Sequence, residues 1–277
     1  MQEHFENSIT FFGKGVHYNK DTRMTVIPQS SGGIVFKRTD IEAKPIIANY
    51  ANVGQMQLNT TISNGKDSIA TIEHLMAAFF YFKLKNAIIL IDGPEIPLMD
   101  GGSNDFIFGL EMLKMPKQVT KKLILKREIK VMLNDSHIIG KPSNEFEVLC
   151  EIDFPNSPIG NQVKKFNEST HNFKDKISYA KTFGHIHQIQ SMNVRGICLG
   201  GDLFSAIIFN DTEIISPSYT HTKMDFVRHK ILDFIGDIHI TDYEIKGSFE
   251  CYKSSHALNN MLLREIFCDP NNFEITN

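Results

Sequence analysis

Residues 226–239 read FVRHKILDFIGDIH and set His229, Lys230, Asp233 and Asp237 among apolar residues. An α-helix turns by about 100° per residue, so with His229 at zero, Asp233 falls at about 40° and Asp237 at about 80°. Val227, Ile231, Phe234 and Ile235 gather at about 140–240°, on the opposite side. The stretch predicts an amphipathic helix whose polar stripe holds an imidazole and two carboxylates. A His and an Asp one turn apart stand one above the other and can grip a single ion. The same pattern suits an ordinary solvated helix face, and these residues alone leave both readings open.

Around this helix, EIKGSFECYKS reads as a following strand and HALNNMLLREIF as a last helix. Upstream, KKLILKREIKVML, HIIGKPS and FEVLCEIDF alternate or run apolar like strands, with Asn-Asp and Pro-Ser turns between them. SYAKTFG introduces a helical or irregular piece, IHQIQSM, before GICLGG and SAIIFND. The pattern resets at MPKQVT (Met115–Thr120), which divides the chain into residues 1–116 and 117–277. In the first part, SITFFGKGVHYNKDTRMTVIP predicts two strands about a Gly-containing turn, and GGIVFKRTD a third. A helix is expected from about Ser68 to Lys83, apolar on nearly every side and therefore buried. NAIILIDG then reads as a buried strand, PEIPLMDGGS as a loop and NDFIFGLEMLKM as a second helix. Both halves follow the order strands, helix, strand, helix. The expected fold class is α+β, two similar units that each layer helices on a largely antiparallel sheet.

With 29 basic residues against 32 acidic ones and no basic run, nucleic acid is not an expected partner. The cysteines, Cys150, Cys198, Cys251 and Cys268, form no CxxC pair, so neither a zinc ribbon nor a disulfide framework is signalled. Scattered free thiols suit a reducing compartment. MQEHFENSIT lacks the charged and apolar regions of a secretory signal. HLMAAFFYF and AIILI are far too short to span a bilayer. A cytoplasmic protein without stable membrane insertion is the expectation. The sequence fixes no oligomeric state, and a monomer is favoured.

Three places carry the polar residues of interest: Glu73 beside His74, the helix already described, and His256 at the start of the last helix. A catalytic zinc takes three nitrogen or oxygen ligands and keeps one position open; two His and one Asp meet that count. A nearby Glu could take the proton of an activated water. A carboxylate within TIEHLMAAFFYF costs several kcal/mol unless it is paired or sits at the helix end, where the dipole favours it. His185 and His187 in HIH share one face of an expected strand, with no third ligand adjacent. HExxH, the P-loop pattern and GxGxxG are absent.

In order along the chain, GKGVH, TIEHLMAAF, PEIPLMDGGS, KTFG, RGICLGG, MDFVRHKILDFIGD and YKSSHALNN resemble the motifs of the UDP-3-O-acyl-N-acetylglucosamine deacetylase family, the zinc amidases of lipid A biosynthesis. Each motif is weak alone, but the run is collinear over essentially the whole chain. The resemblance implies an active site between the two units, and a small β-α-β insert at about 184–215 lining an acyl passage. It implies that His74, His229 and Asp233 hold zinc, although iron(II) also fits such a donor set. Glu73 then matches the general base, His256 the acid for the leaving amine and Asp237 the carboxylate that orients it. Lys230 and Thr182 match groups near the metal water and the developing oxyanion. Phe183, Ile189 and Cys198 match the passage, and Lys253 and Lys141 match residues near the nucleotide phosphates. The implied substrate is an acylated UDP-N-acetylglucosamine, and the lipid A role implies a Gram-negative source.

Three positions depart from the family pattern. Gly102 stands where Ser is expected, Ser255 where Gly is usual, and His185 where an apolar residue is usual. None is a proposed ligand or base. Two rivals share the scaffold: a zinc amidase for another acylated sugar nucleotide or amide, and a non-catalytic lipid- or nucleotide-binding protein. The second would not need Glu73 and His256 together.

Overall fold

Alternation of buried and exposed side chains in DTRMTVIP makes residues Asp21–Pro28 a strand with one face in the core. The computed structural model describes residues 6–54, 58–217 and 222–277; the reading of the first residues, 1–5, lies outside them. The first sheet takes β1 (Ile9–Lys14), β2 (Asp21–Pro28), β3 (Ile34–Arg38), β4 (Ile46–Ile47) and a later strand, β7 (Ala87–Ile91), in the order β1-β2-β7-β3-β4. Between them, β5 (Ile62–Ser63) and β6 (Ser68–Ile69) form a short hairpin, followed by α1 (Glu73–Tyr81). After β7 comes α2 (Asn104–Leu110).

The expected helix from Ser68 is therefore shorter than its apolar run. Ser68 and Ile69 pair with Ser63 and Ile62 instead, and Thr71 turns through a positive φ of 62° before the helix starts. Lys83, with φ 52°, closes the far end.

The second sheet uses β8 (Lys121–Leu125), β9 (Ile129–Leu133), β10 (Ser136–Lys141), β11 (Phe146–Phe154) and β12 (Gly160–Asn167). A short helix, α3 (Phe173–Lys176), precedes a β-α-β unit: β13 (Thr182–His185), α4 (Ile186–Val194) and β14 (Ala206–Phe209), whose strands pair in parallel. The chain closes with α5 (Asp225–His239), β15 (Tyr243–Tyr252), α6 (His256–Cys268) and β16 (Phe273–Thr276). β15 is the spine of this sheet, bonded to β11, β10 and β8.

Most pairings in both sheets are antiparallel, as expected, but each sheet also contains parallel ones. β3 runs parallel to β7, and β15 runs parallel to both β11 and β8. A helix between two strands returns the chain to the same end of the sheet, which favours parallel pairing. The HIH expectation also changes, because His185 ends β13 while His187 already lies in α4.

α5 packs on β11, β12 and β15, and α6 on β9 and β10. α1 lies along α5, and α2 against α1 and β1. One apolar core runs through both halves, from Phe36 and Ile89 through Leu75 and Phe79 to Phe234 and Phe249. The stripe of α5 is not a solvated face: His229, Asp233 and Asp237 are all buried.

Candidate active site

The packing of α1 along α5 brings the N-terminal turn of one helix against the polar stripe of the other. His74 comes from α1, and His229 and Asp233 from α5. One donor atom from each lies within 4.8 Å of the others. Nε2 of His229 is 3.3 Å and Nε2 of His74 3.8 Å from Asp233 Oδ1. That Oδ1 is buried without a hydrogen-bond partner, an expensive state for a carboxylate oxygen. His229 donates from Nδ1 to Ala180 O at 3.0 Å, which turns Nε2 toward the cluster. Burial, and then neighbouring His229, lower the pKa of His74 to about 3, so its imidazole is neutral. Burial resists ionisation of Asp233, but His229 and Lys230 outweigh it and hold the carboxyl far below its usual range. Two imidazoles and one carboxylate with a free oxygen fit a divalent metal ion.

Glu73, His256 and Asp237 form the other half of the site. Glu73 opens α1, where the helix dipole favours its charge, yet it is buried. Its Oε2 accepts from Thr60 N–H at 3.0 Å, and its Oε1 lies 3.8 Å from His256 Nε2. Burial pushes its carboxyl up to about 8, His256 opposing and Asp237 and Asp233 adding to the rise. His256 Nδ1 lies 2.8 Å from Asp237 Oδ2. Burial lowers the His256 pKa, but Asp237 and Glu73 overcome it and raise it to about 9. His256 therefore carries a proton at neutral pH.

Lys230 donates to Asp233 Oδ2 at 2.9 Å and sits 6.0 Å from the Phe183 ring centroid. Thr182 and Phe183 on β13, Ile189 on α4 and Cys198 line a cavity of about 180 Å³ with Glu73 and His74. Leu98, Met192 and Ile208 make its wall largely apolar. Cys198 Sγ is 3.5 Å from His17 Nδ1, which also faces this cavity. Lys253 and Lys141 are not in its lining: Lys253 pairs with Asp135 at 2.9 Å and Asp153 at 3.4 Å, and Lys141 with Glu250 at 2.6 Å.

The departures from the motif have local accounts. Ser255 caps α6, accepting from Leu258 N–H at 3.3 Å with extended backbone that any residue adopts. His185 caps α4 and pairs with Asp211 at 3.0 Å. A Cβ on Gly102 would stand 2.5 Å from Ser178 O, so glycine permits this close approach.

A family profile described as UDP-3-O-acyl N-acetylglycosamine deacetylase (LpxC) matches residues 2–268. The chain belongs to this family. A relative from Psychrobacter sp. (strain PRwf-1), named UDP-3-O-acyl-N-acetylglucosamine deacetylase, is 37% identical over 99% of this chain and 94% of its own. Relatives of the same name from Citrifermentans bemidjiense and Sulfurimonas denitrificans are 34% and 32% identical, over 98% and 99% of this chain and 90% and 94% of theirs. Within this deacetylase-family chain, sequence reasoning missed Thr60, Asn259 and Glu95. Asn259 donates to Asp237 Oδ2 at 2.8 Å. Glu95 accepts from the His17 and Tyr18 amides and the Thr71 hydroxyl, pinning the GKGVH loop beside the cavity. The Glu in PEIPLMDGGS was the available signal. Among the described residues no helix is long and apolar enough to cross a membrane.

Proposed function

We propose that this chain hydrolyses the N-acetyl amide of UDP-3-O-(3-hydroxyacyl)-N-acetylglucosamine. The products are acetate and UDP-3-O-acyl-glucosamine, an early committed step of lipid A biosynthesis, with zinc as the resident metal. The observation that carries this reading is the meeting of His74, His229 and Asp233 with Glu73 and His256 beside one apolar cavity. When bound by the two imidazoles and Asp233, a zinc ion supplies water activation and Lewis-acid polarisation of a carbonyl.

In its ionised form, which the positive charge of a bound metal ion would favour against burial, Glu73 accepts the proton of the attacking water through Oε1, because Oε2 is engaged by Thr60 N–H. Charge building on the amide oxygen is steadied by the Lys230 ammonium and the Thr182 hydroxyl. His256, held protonated by Asp237, delivers a proton to the departing amine. Phe183, Ile189 and Cys198 take the acyl chain along the β-α-β unit. Lys253 and Lys141 meet the nucleotide phosphates, which must then displace their present carboxylate partners. The proposed setting of this reaction is the cytoplasm.

The test is acetate release from the acylated UDP-sugar, with and without chelator. Activity lost on chelation and regained with zinc supports the reading. Full activity in metal-free protein, or equal rates on unacylated UDP-N-acetylglucosamine, overturns it. Glu73→Gln keeps the metal and loses about 100-fold or more in kcat.

A further inference from the structure

Thr60 is 1% exposed, and all three of its polar groups are engaged. Its N–H donates to Glu73 Oε2 at 3.0 Å, and its carbonyl accepts from Ile72 N–H at 3.2 Å, just before α1. Its hydroxyl donates to Asp237 Oδ1 and lies 3.4 Å from His256 Nδ1. One residue of the first half thus touches the proposed base on α1, the orienting carboxylate on α5 and the proposed acid on α6.

We infer that Thr60 is a positioning residue that fixes Glu73 and the Asp237–His256 pair relative to one another. This rests on the roles proposed above for Glu73 and His256. By occupying Glu73 Oε2, the Thr60 amide leaves Oε1 as the oxygen that faces His256 Nε2. The hydroxyl does the equivalent for Asp237. Asp237 Oδ2 already takes His256 Nδ1 and Asn259 Nδ2, each at 2.8 Å, and Thr60 supplies the donor to Oδ1. With both oxygens held, the carboxylate cannot rotate about its Cβ–Cγ bond, and the imidazole plane is set with it. An orienting hydrogen bond one step away from reacting atoms is commonly worth about 10–100-fold in activity.

The hydroxyl can be removed while the backbone bonds to Glu73 and Ile72 remain. Thr60→Val is nearly isosteric, and Thr60→Ala removes the same hydroxyl without requiring a second methyl to fit. Thr60→Ser keeps the hydroxyl. In zinc-loaded protein, both hydroxyl-free variants should lose about 10–100-fold in kcat with KM within about threefold of the original. Thr60→Ser should restore kcat to within about threefold, and zinc content should match the original in all three. A second readout does not depend on turnover: the low-field Nδ1–H proton resonance of His256, in protein carrying ¹⁵N-labelled histidine. It should shift or broaden in Thr60→Val and Thr60→Ala and remain in Thr60→Ser. If kcat and this resonance are unchanged in a hydroxyl-free variant, the inference falls while the proposed function stands. If the original protein releases no acetate, the proposed function falls, and the resonance still decides whether Thr60 sets the imidazole.

Discussion

Glu73 and His256 approach to 3.8 Å inside the protein, and the base and acid roles proposed for them require Glu73 ionised and His256 protonated. Asp237 keeps the proton on His256: burial alone would strip it, and the nearby carboxylates reverse that effect to give a pKa of about 9. Because the folded value lies above the ordinary 6.5, the stabilisation from this pairing is fully present below about pH 6.5. It is lost as pH rises through about 9. The same titration should form the alkaline limb of a bell-shaped kcat/KM profile. Asp237→Asn removes the neighbouring charge and should move that limb down by about 1–2 pH units. A pH–rate series on both proteins checks this; an unmoved limb would assign it to another group. Asp237 and His256 each stood out in the sequence, but their pairing was legible only through the motif resemblance. The 19-residue gap between them has no local periodicity, and only the packing of α5 against α6 makes them neighbours.

At the scale of elements, the site exists because α1 and α5 cross closely enough for His74 to reach Asp233. Gly236 permits that crossing. A Cβ at this position would overlap the Glu73 carbonyl, in the same turn that carries both Glu73 and His74. Gly236→Ala should therefore push the first turn of α1 off α5. An overpacked core contact of this kind costs about 1–3 kcal/mol. Metal affinity should fall with stability, since the displaced turn carries one proposed ligand and the partner helix the other two. Thermal melting together with competitive zinc titration measures both effects; a lowered melting point with unaltered affinity would show that the strain relaxes elsewhere. The stripe of α5 could be read from helical periodicity, whereas its burial could not, because the covering surface is a different segment. The start of α1 was misplaced because no Gly or Pro marks residues 68–72. What breaks the helix there is tertiary: Ile69 pairs with Ile62, and Thr71 takes a positive φ. In HIH, a two-residue alternation was too short to separate a strand end from a helix start.

Across the whole molecule, the reset at residues 115–120 falls between the last element of the first half, α2, and β8 of the second. Strand order and direction were not legible, since side-chain alternation is the same in parallel and antiparallel pairing. Packing nevertheless gives the halves little independence. α1 is buried on nearly every face, and Leu75, Met76 and Phe79 belong to one core that continues into α5, so a fragment lacking the second half would expose the face of α1 that packs on α5. Lys85 adds a polar tie, donating from Nζ to His239 O at 2.9 Å and Thr241 O at 2.7 Å. The first contact satisfies the last carbonyl of α5, which would otherwise lack a helical partner, and the second a carbonyl just beyond the helix. A large apolar interface of this kind couples two units into one unfolding event. The intact chain should therefore lose far-UV and near-UV circular dichroism in one coincident transition in denaturant. Fragments 1–116 and 117–277, expressed separately, should show no cooperative transition. Two resolved transitions in the intact chain, or a fragment with native near-UV signal, would mean that each sheet-and-helix layer is stable alone. The metal site would then be assembled by docking rather than by folding.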